Sequence, residues 1–247
     1  MQLDIPARDH APGHPKEGWC GETAIQEALL YYGGFVPQRL INKAGKPRMP
    51  DLYASDIPVA MRALGLKYRW WNNRGNIHAY IRWIKQQVRA GKPVLVGVKI
   101  NPTEHPQWGL DHFVLVVGYN SRGLVLNTTW GRRATRSYAD LNSRRKGFSF
   151  LNRSRRYYAL VIDGVAGKHR SSMPIRVTPR SETTRQIRSQ ITTTGLVPGR
   201  RYRLRRFVVG AKKPTVLKSF TAARTSQTFA VPVDKRRASF YTVTTSP

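Results

Sequence analysis

Cysteine occurs once in this chain of 247 residues, and acidic residues are scarce, 13 against 43 Lys and Arg. The lone Cys20 rules out an intrachain disulfide, so cysteine usage leaves the redox compartment open. It also disfavours a structural zinc site, which ordinarily draws on several Cys and His ligands. Asp9-His10 with His14 gives too few such groups, so no metal and no cofactor is expected. No apolar run approaches the ~20 residues that span a bilayer. Met1-Gln2-Leu3-Asp4-Ile5-Pro6 has neither the basic nor the apolar stretch of a secretory signal. Either there is none or it has been removed. Internal repeats and low-complexity tracts are also missing.

What the chain does have is apolar content and positive charge. At 40% hydrophobic it can build one large core or two modest ones. The net charge of +30 is spread along its length, with 18 Lys and Arg against only Glu182 and Asp234 in residues 168–247. Such a field draws anions, whether nucleic acid, anionic lipid, acidic glycan or acidic protein, without choosing among them.

Helical periodicity comes first along the chain. Ala24, Ile25, Ala28, Leu29 and Tyr32 share a face between Gly18 and Gly33. Ser55 opens a short segment to Gly65, and Ile77, Ile81, Ile84 and Val88 mark a helix over about 76–90 that Gly91 stops. Strands follow at Lys92–Val98 and at about 112–119, 123–128 and 156–163. Helices first and antiparallel strands second predict an α+β fold. Beyond Asp163 the helical pattern vanishes. Short strands at about 174–179, 186–193, 201–209, 214–221, 227–232 and 239–245, separated by turn residues, predict a small all-β sandwich. The expected division is a domain over 1–166, a linker at about 164–173 and a β-module over 174–247.

Cys20 lies in Gly18-Trp19-Cys20-Gly21-Glu22-Thr23-Ala24, at the head of the first helix. His112 opens the apolar strand His112–Tyr119, and Val125-Leu126-Asn127-Thr128-Thr129-Trp130-Gly131 ends the next one. A lone cysteine, a strand-borne histidine and then an amide is the order of a Cys-His-Asn nucleophilic site. Such a site needs a thiolate, and an ordinary thiol with pKa about 8.5 is mostly protonated at neutral pH. The positive end of a helix and a neighbouring imidazolium both lower that pKa. A buried structural cysteine and a satisfied core histidine are the plain alternative; the shared order favours the reactive reading.

These segments resemble the papain-like cysteine peptidases over about residues 12–163. Leu110-Asp111-His112-Phe113 is similar to their histidine strand, and Asn127-Thr128-Thr129-Trp130-Gly131 to their Asn-Ser-Trp-Gly with one residue extra. The resemblance implies Cys20 as nucleophile, His112 as proton carrier, Asn127 as the group orienting the ring and Trp130 as its shield. Thr128, two residues before Trp130, is the alternative to Asn127. It also implies an oxyanion hole from the Cys20 N–H and the residue six before it, where His14 replaces the usual Gln. The 92-residue span from Cys20 to His112 and Gly91-Lys92-Pro93-Val94-Leu95-Val96 are similar to the compact bacteriocin-leader-processing peptidases.

Two further segments carry charge. Tyr68-Arg69-Trp70-Trp71 interleaves aromatic and basic residues as single-strand nucleic-acid binders do, but reads better as a partly buried strand beside a cleft. Leu196-Val197-Pro198-Gly199-Arg200-Arg201-Tyr202 is similar to the turn-then-Tyr signature of fibronectin-type-III-like modules. In the strand after it, Arg201, Arg203 and Arg205 fall on one face, an anion-binding surface, with Arg144-Arg145-Lys146 adding to it. The sequence thus predicts a cysteine peptidase, secreted or surface-acting, that cleaves peptide or protein and meets anionic polymer through its β-module. The alternative is an inactive papain-like domain serving as a basic binding or adhesion protein for anionic surfaces or nucleic acid.

Overall fold

The apolar run after Cys20 forms helix α1 (Cys20–Tyr31), and Gly33 turns the chain out of it at a φ of +79°. A short strand β1 (Gly34–Phe35) and helices α2 (Gln38–Gly45) and α3 (Ile57–Ala63) follow. Helix α4 (Ile77–Arg89) is capped by Asn76, whose side chain accepts from the amides of His78 and Ala79 at 2.9 and 3.2 Å. The computed structural model describes residues 1–9, 18–48, 50–72, 76–100, 111–141, 147–150, 153–183 and 185–246. Helix α2 escapes sequence periodicity because it is short and buries few residues, Ile41 chief among them.

Among the described residues, six strands make the first large sheet. These are β2 (Leu66–Trp70), β3 (Val94–Val98), β4 (His112–Tyr119), β5 (Gly123–Asn127), β6 (Arg133–Ser137) and β9 (Ala159–Val165). Their order is β2-β9-β3-β4-β5-β6, antiparallel throughout. β7 (Ser149–Phe150) and β8 (Arg153–Tyr157) form a separate ribbon. β3 and β4 read as nearly unbroken apolar runs because α1 and α4 pack against the sheet. Helices followed by antiparallel strands give the expected α+β unit.

The second unit is all β. β10 (Ile175–Glu182), β11 (Gln186–Thr194) and β14 (Ser226–Asp234) pair in the order β10-β11-β14. β12 (Arg201–Val208), β13 (Thr215–Thr221) and β15 (Ser239–Thr245) form the facing sheet, in the order β15-β12-β13. Ile187 and Ile191 from one sheet and Tyr202, Leu204 and Val243 from the other fill a common core. The Val197 N–H donates to the Tyr202 hydroxyl at 3.0 Å, a corner tied in the manner of immunoglobulin-like sandwiches.

The units are not joined as the sequence suggested. Gly164 and Val165 belong to β9, paired with Lys67 and Leu66, so the expected linker at 164–173 begins inside a strand. Its next turn is packed too, with the His169 ring 4.4 Å from that of Phe240. Strand β1 of the first unit pairs with β15 of the second, Gly34 opposite Phe240 and Phe35 opposite Ser239. Leu30 and Phe35 are buried in the module core, while Ala238 and Phe240 are buried in the core of the first unit. A Cβ on Gly33 would lie 2.7 Å from Ile175 Cγ2, so only glycine lets the chain pass between the units. The first nine residues complete the seam. Leu3 N donates to Val117 O at 2.7 Å, and Asp4 and Arg8 pair with Arg176 and Glu182 of the module at 2.6 and 2.5 Å.

Because Phe35 fills the core of one unit from the chain of the other, Phe35→Ala is expected to cost about 3 kcal/mol or more. Denaturant unfolding followed by near-ultraviolet dichroism should show one transition for both units, shifted as a whole. Two separate transitions, with the first unchanged, would mean that the units fold independently.

Candidate active site

Helix α1 presents Cys20 at its first turn, against the start of β4. The Phe113 N–H donates to Cys20 Sγ at 3.4 Å, which sets the sulfur beside the backbone of His112. Cys20 is only 5% exposed, and burial pushes its thiol up to about 12 despite that hydrogen bond. Glu22 and Asp51 add to the rise because nearby negative charge opposes a thiolate. The sequence-level expectation of a lowered thiol pKa is therefore reversed in this resting arrangement. Desolvation outweighs the helix terminus.

The histidine is held from two directions. Thr129 Oγ1 lies 2.9 Å from His112 Nε2, and the Trp130 indole stacks on the imidazole at 4.7 Å and 6°. Trp130 is itself pinned by a bridge to Asp9, and the Gly131 N–H donates to Arg8 O at 3.0 Å.

Asn127, expected to orient the ring, does something else. Its Nδ2 donates to Ile5 O at 3.1 Å and its Oδ1 accepts from Arg133 Nε at 3.1 Å. Register gives the reason: Asn127 is opposite Leu115, three residues beyond His112, or about 10 Å along the strand. Extending the same register brings position 130 opposite 112, where the indole is found. Thr128 is not the orienter either, since its Oγ1 donates to Arg132 O at 2.7 Å. Thr129 holds that place and was not anticipated; only its position beside Trp130 hinted at it.

Of the two oxyanion donors expected, His14 lies outside the described residues, and the Cys20 N–H donates to Gly18 O. Arg144, Arg145, Lys146, His10 and His105 also lie outside them. Arg201, Arg203 and Arg205 stand on the face of β12 opposite the buried Tyr202 and Leu204. Among the described residues no group of three or more His, Cys, Asp and Glu is gathered as a metal would need.

Two surfaces flank the cysteine and histidine. On one side rings run outward, Phe113 to Tyr158 at 5.3 Å and Tyr158 to Trp70 at 5.4 Å, ending in an indole that is 45% exposed. On the other, a cavity of about 260 Å³ has Val98, Val114 and Leu126 on its walls with His112, Trp130 and Arg136. Apolar rings thus extend from Phe113, and a partly polar pocket lies at the histidine.

Glu22 is a buried carboxyl the sequence did not flag. Its Oε1 accepts from Asn42 Nδ2 and Leu52 N at 2.8 and 3.1 Å, and burial raises its pKa from 4.5 to about 7.

A family model described as Peptidase_C39 like family matches residues 2–158, more than half of the chain. Comparison with curated proteins yields no match. The first unit is accordingly a papain-like cysteine peptidase domain, followed by a β-module.

Two outcomes follow. Thr129→Val should shift the ring-nitrogen resonances of His112 while Asn127→Ala leaves them nearly in place, read by NMR of the labelled imidazole; the reverse order would return the orienting role to Asn127. Glu22 binds a proton more tightly folded than unfolded, so its contribution to stability should fall as pH rises from about 4.5 to about 7 and then level. Glu22→Gln should flatten that slope, worth at most roughly 3 kcal/mol. An unchanged difference in unfolding free energy between pH 5 and 8 would refute it.

Proposed function

The chain belongs to the Peptidase_C39-like family, and on that premise we propose that it hydrolyses peptide bonds with Cys20 as nucleophile and His112 as proton carrier. The observation that supports this most is the approach of Cys20 Sγ to the head of β4, with the adjacent imidazole fixed by Thr129 and Trp130. Peptide enters along the aromatic approach and reaches the pocket beyond the histidine. As Sγ attacks the carbonyl carbon, the thiol proton passes to His112, which then gives it to the departing amine. Water cleaves the resulting thioester by the reverse sequence of proton transfers. Since the resting thiol is neutral, the proton moves as the carbonyl arrives and not beforehand. The Cys20 N–H must leave Gly18 O to serve the oxyanion, which adds to the cost of the step.

One set of observations favours a second reading, an inactive domain that binds anionic surfaces. The thiol is buried and neutral, a hydroxyl stands where an amide is expected, and the charge is +30. Arg201, Arg203 and Arg205 would then carry the contact.

Digestion of a peptide library separates the two. Cleavage by the parent should be lost in Cys20→Ala and in His112→Ala; equal cleavage by parent and Cys20→Ala would end the peptidase reading. Iodoacetamide labelling of Cys20 should be slow at pH 7 and climb about tenfold per pH unit towards pH 10, following the thiolate fraction. A plateau already reached below pH 7 would reveal a preformed thiolate–imidazolium pair.

A further inference from the structure

Among the described residues, a cavity larger than the one at His112 lies elsewhere. A pocket of about 580 Å³ opens at the seam between the two units. That volume falls in the range of small-molecule sites, which favour domain boundaries. The peptidase domain supplies Tyr31, Tyr32, Lys67 and Asp163, and the module supplies Arg170, Met173, Ile175 and Arg176. Neither unit has the pocket alone.

Its chemistry is uneven. The Tyr31 and Tyr32 rings meet edge to face at 5.0 Å, and the Tyr32 hydroxyl is tied to Ile162 O at 2.6 Å, which fixes one wall. Met173 and Ile175 make the other wall apolar. The one acid among the lining residues, Asp163, is already occupied by Arg69 and Lys92 at 2.9 and 2.7 Å. Arg176 is paired with Asp4. Lys67 and Arg170 have no acidic partner among the described residues. Two unpaired cations at the rim of a slot with aromatic and thioether walls suit a ligand that is anionic at one end and flat or apolar at the other.

We infer that the seam pocket binds a small organic anion, a carboxylate or phosphate monoester with an aromatic or apolar body. Its head group meets Lys67 and Arg170, and its body lies between Tyr31 and the Met173–Ile175 segment. Neither Cys20 nor His112 lines the pocket, so its occupancy is independent of whether the thiol reacts. The link between the sites is α1 itself: twelve residues at about 1.5 Å each put Tyr31 about 17 Å from Cys20 on one helix.

Anilinonaphthalene sulfonate, an aromatic anion that fluoresces when shielded from water, tests this on the full chain. The parent should bind it saturably at one site at low salt. Lys67→Glu with Arg170→Glu should weaken binding tenfold or more, while Arg39→Glu with Lys43→Glu, an equal charge change on α2, should alter it less than twofold. Phenyl phosphate and benzoate should compete, and the stronger competitor identifies the head group. Equal weakening by both double variants, competition by neither compound, or no saturable binding would overturn the inference. Should the seam variants unfold, amide shifts in the parent titrated with phenyl phosphate decide. Changes confined to Gly91, Ser172, Thr194 and their neighbours support the pocket, and changes scattered over the basic surface refute it.

Discussion

Helix α1 is enclosed on nearly every side, and most of the architecture serves to make that possible. From Cys20 to Leu30 every residue is buried, including Glu22, Thr23, Gln26 and Glu27. A helix so polar cannot be buried without partners, because each unpaired group costs on the order of 1–3 kcal/mol. The partners come from the residues that flank the helix on either side in the chain. Gln26 donates to Val36 O at 2.7 Å, Thr23 donates to Trp19 O at 2.7 Å, and Glu27 accepts the Arg8 N–H at 2.8 Å. Asn127 and Arg133 lie beside the same Glu27, and burial still holds its carboxyl well above the usual range. The first nine residues, the end of β5 and the start of β6 are thus locked together over one face of α1. The module closes the helix's far end.

That enclosure shapes the chemistry at both ends of the helix. At the first turn, the burial that holds Cys20 still also keeps its thiol protonated, so positional order comes at the expense of nucleophilicity. The environment that would favour a thiolate is one that admits charge and water. Asn127 shows the same priority. The amide expected to orient the His112 ring is instead a structural tie between Ile5 and Arg133. A hydroxyl one strand-end away, Thr129, takes over the ring. A single hydroxyl gives less angular control than a planar amide, since it rotates freely about its bond.

Much of the fold was legible in the sequence, and the failures have local causes. The α+β order, helix α4 with its stop at Gly91, and the six strands of the module follow from periodicity and turn residues. Cys20 and His112 stood out in the sequence because each opens an element with an obvious pattern. Asn127 was expected from its place before Trp130 and Gly131, and register explains why the ring meets Thr129 instead: Asn127 stands opposite Leu115, three residues past His112. Between Tyr119 and Val116 the register with β5 shifts by one, Gly118 facing Val125 while Val116 faces Leu126. No local signal announces that bulge. The seam was missed for another reason: β1 is two residues long, and its partner lies about 200 residues away, so neither propensity nor period could reveal it.

Charge is the last constraint, and it depends on where the few acids went. Of the 13, Glu22 and Glu27 are buried on α1 itself, and Asp4 and Glu182 join the two units through Arg176 and Arg8. Asp163 holds β9 against Arg69 of β2 and Lys92. Acids used for internal ties leave an outer surface dominated by Lys and Arg. A diffuse field of that kind attracts any anion, and it is screened within about 8 Å at physiological ionic strength. It therefore concentrates ligands without distinguishing among them. Discrimination requires a concave place where unpaired cations act together with shaped apolar walls. The seam supplies one because two units, each basic in its own right, meet there around a pair of tyrosines.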